Sequence, residues 1–101
     1  MPKLTTIFWR DIPAQLIAQK GRKRHKLELS KRFAVAIDRA AMRAGRGSSS
    51  AYLEDWRRES RPVEGDMEQL LADEAARLED SWPDELLESV TKAGGIHKTE
   101  D

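Results

Sequence analysis

Leu4-Thr5-Thr6-Ile7-Phe8-Trp9, then Ala14-Gln15-Leu16-Ile17-Ala18-Gln19 and Lys26-Leu27-Glu28-Leu29, are the stretches whose reading decides the fold. The first is rich in β-branched and aromatic residues and reads as a strand. Leu4 and Phe8 point one way, Ile7 and Trp9 the other. A strand apolar on both sides is central in its sheet or exposes one aromatic for contact. Asp11 and Pro13 punctuate the chain as a turn. The second and third stretches flank Lys20-Gly21-Arg22-Lys23-Arg24-His25, where Gly21 supplies the positive φ of a hairpin turn. Residues 14–29 are thus expected to form a β-hairpin with a basic tip.

Outward from this core, Ser30 is placed as the N-cap of a helix over residues 31–44. Phe33, Ile37, Ala40, Ala41 and Ala44 make its apolar stripe, and Arg32, Arg39, Arg43 and Arg46 a second, basic one. Gly45 fits the residue just past the helix end. Residues 47–50 read as a flexible connector. Residues 51–59 are ambiguous, because Tyr52 and Trp56 suit both a strand face and an i, i+4 helix pair; the aromatics favour a strand. Asp66 and Gln69 form a capping-box pattern, with Met67, Leu70, Leu71, Ala75, Leu78 and Trp82 tracing one helical face behind it. Asp73, Glu74, Glu79 and Asp80 fill the remainder as a solubilising surface. A short helix follows from Asp84, with Leu86, Leu87 and Val90 inward, until Gly94-Gly95 stops it.

Strands first and helices later predict an α+β domain: an antiparallel sheet of three to four strands with two to three helices on one face. Residues 1–95 are expected to form one domain, and residues 96–101 a flexible tail. The chain of 101 residues has no Cys, which excludes a disulfide scaffold and thiolate metal sites. No apolar run approaches a membrane span or a signal-peptide core, so a cytoplasmic protein without membrane association is expected.

Charge is distributed unevenly. Residues 1–46 hold twelve Lys/Arg against three acids, and residues 47–101 six against fifteen, so a net charge of zero conceals halves of about +9 and −9. Lys20, Arg22, Lys23, Arg24 and Lys26 concentrate five cations in seven residues. With the Arg32/Arg39/Arg43/Arg46 stripe they form a candidate nucleic-acid surface. Trp9, Tyr52 and Trp56, with Arg10, Arg39, Arg43 and Arg57, form a candidate protein-docking surface, since aromatic-plus-Arg clusters are typical interface anchors. Catalytic constellations do not assemble: His25 lies in the basic turn and His97 in the tail. Gly45-Arg46-Gly47 lacks the Lys-Ser/Thr ending of a phosphate loop. No catalytic, cofactor or metal residue is therefore assigned.

Three blocks carry a family resemblance: Phe8-Trp9-Arg10-Asp11-Ile12-Pro13-Ala14-Gln15, Ala36-Ile37-Asp38-Arg39-Ala40-Ala41-Met42-Arg43-Ala44-Gly45, and Ala51-Tyr52-Leu53-Glu54-Asp55-Trp56-Arg57-Arg58. In this order they resemble the small bacterial, mainly alphaproteobacterial, "virulence factor" domain proteins, over roughly residues 3–80. The resemblance carries no catalytic residues. It implies a loose association with one-carbon and corrinoid methyl transfer, in which this chain would be an accessory factor; the Asp-x-His-x-x-Gly pattern of cobalamin ligation is not in the sequence. The expectation is a non-catalytic accessory module that docks an unidentified protein, with nucleic-acid binding through the hairpin as the alternative.

Overall fold

The computed structural model describes residues 2–45 and 49–97. Along these the elements are β1 (Lys3–Trp9), β2 (Ile12–Lys20), β3 (Lys23–Glu28), α1 (Lys31–Arg43), α2 (Ser49–Glu54), β4 (Trp56–Pro62), α3 (Met67–Ser81) and α4 (Asp84–Lys92). The fold is α+β, with a four-stranded antiparallel sheet in the order β3-β2-β1-β4. β1 is central, as its two apolar faces require. Both edge strands, β3 and β4, are highly charged, and β4 ends at Pro62, features that discourage edge-to-edge pairing.

Strand register separates the two faces of the sheet. Leu4, Thr6, Leu16, Ala18, Leu27 and Arg61 share one face, and α3 lies over it. Buried Glu74 of α3 reaches down to Arg61 at 3.4 Å and accepts two 2.7 Å bonds from Arg77. The other face carries Thr5, Ile7, Gln15, Ile17, Arg58 and Lys26. Ile7 and Ile17 are buried there without joining the main core, which gathers Leu4, Leu16, Phe33, Ile37, Leu71, Leu78, Leu87 and Val90 between sheet and helices. Removing such side chains from water contributes roughly 1.5–3 kcal/mol each.

α1 runs from Lys31 to Arg43, one residue short of the expected 31–44, and the side chain of its N-cap Ser30 does not cap the helix. The Ser30 N–H and hydroxyl both donate to Glu79 at 2.8 Å, tying the start of α1 to the end of α3. Arg32 completes this clasp through the Glu79 carboxylate and carbonyl, the Trp82 carbonyl and Asp84. Asp66 accepts from the Gln69 N–H at 3.0 Å, the expected cap of α3.

Three expectations are corrected. Residues 51–59 are not one strand: α2 ends at Glu54 and β4 begins at Trp56, so the two aromatics sit on either side of a helix-to-strand junction. Glu74 and Glu79 are not solubilising, for one is buried against the sheet and the other clasps α1. The connector expected over residues 47–50 does not extend to Ser49 and Ser50, which belong to α2. At the start of the expected tail, the His97 N–H donates to Asp11 at 2.7 Å, and its ring lies 5.6 Å from that of Trp82. Arg46, residues 47 and 48 of the expected connector and residues 98–101 lie outside the described residues.

Candidate functional site

The docking surface expected around Trp9 does not assemble. Trp9 is 0% exposed; its indole N–H donates to the Tyr52 carbonyl at 2.9 Å, and its ring stacks on Tyr52 at 5.8 Å. Tyr52 in turn meets Trp56 edge-on at 5.7 Å, and both are half-buried against the core. Burial, and to a lesser degree the Asp38 carboxylate, raises the Tyr52 hydroxyl above its ordinary range. Trp9 is therefore a packing residue: paired with Ile12 and Trp56 in the sheet, it belongs to the main core cluster and its ring lies against Gly95.

The neighbouring arginines are consumed in the same way. Arg10 adopts φ 53°, pairs with Asp55 at 3.2 Å and donates to the Gly94 carbonyl at 3.0 Å. Arg57 donates to the Arg10 carbonyl at 2.9 Å, pairs with Asp11 and Glu59, and lies 4.4 Å over the Phe8 ring. Arg32 leaves the basic stripe for the Glu79 clasp. Arg39 and Arg43 remain on the exposed side of α1 with no ion pair among the described residues.

The basic hairpin assembles as its sequence predicts. β2 and β3 are joined by Gly21 and Arg22 alone, with Lys20 paired to Lys23. Gly21 has φ +60°, the left-handed conformation that the first central position of a two-residue loop demands. Lys20, Arg22, Lys23, Arg24 and Lys26 are all exposed, and none has an ion pair among the described residues. Register sets Lys20 and Lys23 on the α3 side and Arg24 and Lys26 on the other. Arg24 and Lys26 thus project from the sheet face of Ile17 and Thr5, a face that also carries exposed Arg58 on the far edge strand β4, in one row with Ile7, Gln15 and Glu28. Arg58 is the cation of this face that sequence reading missed. Its signal was its place two residues from Trp56 in an alternating strand.

The two charged halves therefore answer each other at few points. Among the described residues, Arg10 and Arg32 are the cations of the first half that pair with acids of the second. No group of three or more His, Asp or Glu among these residues is arranged to hold a metal ion. No helix among them is long and apolar enough to cross a membrane.

This architecture defines a small α+β domain with one basic sheet end and one acidic helical layer. The chain matches the family model described as "Virulence factor" over residues 7–91 and belongs to that family. No curated protein and no solved structure matches it.

Proposed function

We propose that this protein is a non-catalytic module that binds nucleic acid through the phosphate backbone, using the hairpin cations Lys20, Arg22, Lys23, Arg24 and Lys26. The observation that carries this reading is a contrast in how cations are used. Arg10, Arg32, Arg57, Arg61 and Arg77 all meet carboxylates of the fold, while the hairpin cations meet none among the described residues. Clustered cations left in solvent repel one another, a cost that polyphosphate binding removes as it releases condensed counterions. The acidic helices repel such a ligand and so turn the hairpin toward it. Docking a protein through the sheet aromatics ranks second, because Trp9, Arg10 and Arg57 already have internal partners.

The test is fluorescence anisotropy with labelled 20-mer single-stranded and duplex oligonucleotides. Sequence-independent affinity of about 1–100 µM at physiological salt is expected for at least one form. The triple variant Arg22→Ala, Lys23→Ala, Arg24→Ala is expected to lose at least tenfold while melting like the parent. Binding unchanged by the triple variant, or no binding at 50 mM salt, rejects the proposal.

A further inference from the structure

Arg39 and Arg43 lie on α1 and line hollows that contain no hairpin residue, and they belong to a second feature. α1 and α4 pack side by side, and the seam between them opens into two adjoining hollows of about 420 and 320 Å3. The hollows share Arg39, Glu88 and Thr91, so they form one continuous groove. Its floor is Ala36, Leu87 and the Thr91 methyl; the Thr91 hydroxyl is turned away, donating to the Leu87 carbonyl at 2.7 Å. Val35 and Met42 stand on the α1 wall, 39% and 70% exposed. Seven residues apart on one helix, they are separated by about 10 Å, two turns of an α-helix.

The rim charges are unequal. Asp84 is already paired with Arg32, and Glu88 with Lys92 at 3.4 Å. Lys31, Arg39 and Arg43 line the groove with no ion pair among the described residues. A two-turn apolar groove with an unanswered cationic wall has the dimensions and the charge to hold an amphipathic helix. Phosphate chains gain nothing from exposed Val35 and Met42, and a neutral apolar helix leaves Arg39 and Arg43 unanswered.

We infer that the α1–α4 groove is a docking site for an acidic amphipathic helix of a partner protein, with apolar residues two turns apart seated on Val35, Met42 and Leu87 and flanking carboxylates on Arg39 and Arg43. This site is independent of the hairpin, so the protein holds two ligands of different class on two surfaces.

A phage-displayed library of helical peptides selected on the intact protein tests this. The enriched peptides are expected to be amphipathic and acidic, with apolar positions spaced i, i+3 or i+4, and i+7. A synthetic copy of the leading peptide is expected to shift the amide resonances of Val35, Arg39, Met42 and Thr91. Its affinity is expected to fall at least tenfold with Met42→Asp and with Arg39→Glu, two exposed positions, and to be unchanged by the hairpin triple variant. Failure to enrich any peptide, enrichment of basic ones, or binding indifferent to Met42→Asp overturns the inference. So does self-association that Met42→Asp abolishes in sedimentation, since a second copy would then be the occupant, and so does displacement of the peptide by an oligonucleotide.

Discussion

Gly95 shows how tightly single residues are fixed around Trp9. It has φ +91°, and a Cβ there would lie 2.8 Å from the indole ring, closer than packed carbon atoms approach. The Gly95 carbonyl also accepts from the Asp11 N–H at 2.9 Å, which locks the β1–β2 turn against the end of α4. Gly95→Ala is expected to destabilise the fold by about 2–4 kcal/mol, combining backbone strain with overpacking. Trp9→Ala should cost about 3–5 kcal/mol. Urea denaturation measures both; a Trp9→Ala variant that melts like the parent would return this ring to the surface. The burial of Trp9 was half-legible in the sequence. Apolar residues on both faces of β1 placed the strand centrally, but adjacency to Arg10 suggested a contact surface. What the linear order hides is that Asp55 and the Gly94 carbonyl arrive from distant segments to occupy that arginine.

At the scale of elements, carboxylates rather than apolar contacts alone set how the helices sit. Glu74 and Glu79 both titrate below the ordinary Glu range. For Glu74 the Arg77 hydrogen bonds are the largest cause and outweigh its burial. For Glu79 burial pushes upward, and the Ser30 and Arg32 hydrogen bonds overcome it. A carboxyl whose folded pKa is depressed stabilises the fold above its unfolded pKa. That stability is lost as pH falls through the folded value, because the unfolded chain takes up protons first. Stability is therefore expected to decline below about pH 4.3. Glu79→Gln should flatten that decline and lower stability at neutral pH. Arg32→Ala leaves the Glu79 and Trp82 carbonyls without their donor and is expected to cost about 1–3 kcal/mol. Denaturant melts from pH 3 to pH 7 check both. Equal pH dependence in parent and Glu79→Gln would remove Glu79 as an anchor.

The same elements show what periodicity could and could not deliver. Gly21, Gly45 and Asp66 marked real boundaries, since each supplies local chemistry that a turn or helix end needs, whereas Ser30 marks the start of α1 but directs its hydroxyl to Glu79. α2 and β4 were illegible because Tyr52 and Trp56 satisfy period 2 and period 3.6 alike, and pairing with β1, a distant segment, decided the matter. Glu74 was read as solvent-facing by residue type, although its position between Leu71 and Leu78 placed it on the apolar face. Its burial depends on Arg61 and Arg77, which adjacency alone did not connect to it.

For the whole molecule, the division of charge has become a division of labour. The acids of the second half secure Arg10 and Arg32, and its helices cover one face of the sheet. The basic hairpin and the exposed wall of α1 are left to look outward. Belonging to the "Virulence factor" family over residues 7–91 is consistent with this layout and specifies no chemistry. The central claim is that the hairpin cations are reserved for phosphates, and salt dependence tests it most directly. A plot of log binding constant against log salt concentration for the intact protein and a 20-mer oligonucleotide is predicted to slope at about −3 to −5, as expected for roughly five phosphate contacts. Arg24→Ala should make that slope shallower by nearly one. A flat line, or a slope that Arg24→Ala and its hairpin neighbours leave untouched, would contradict the account.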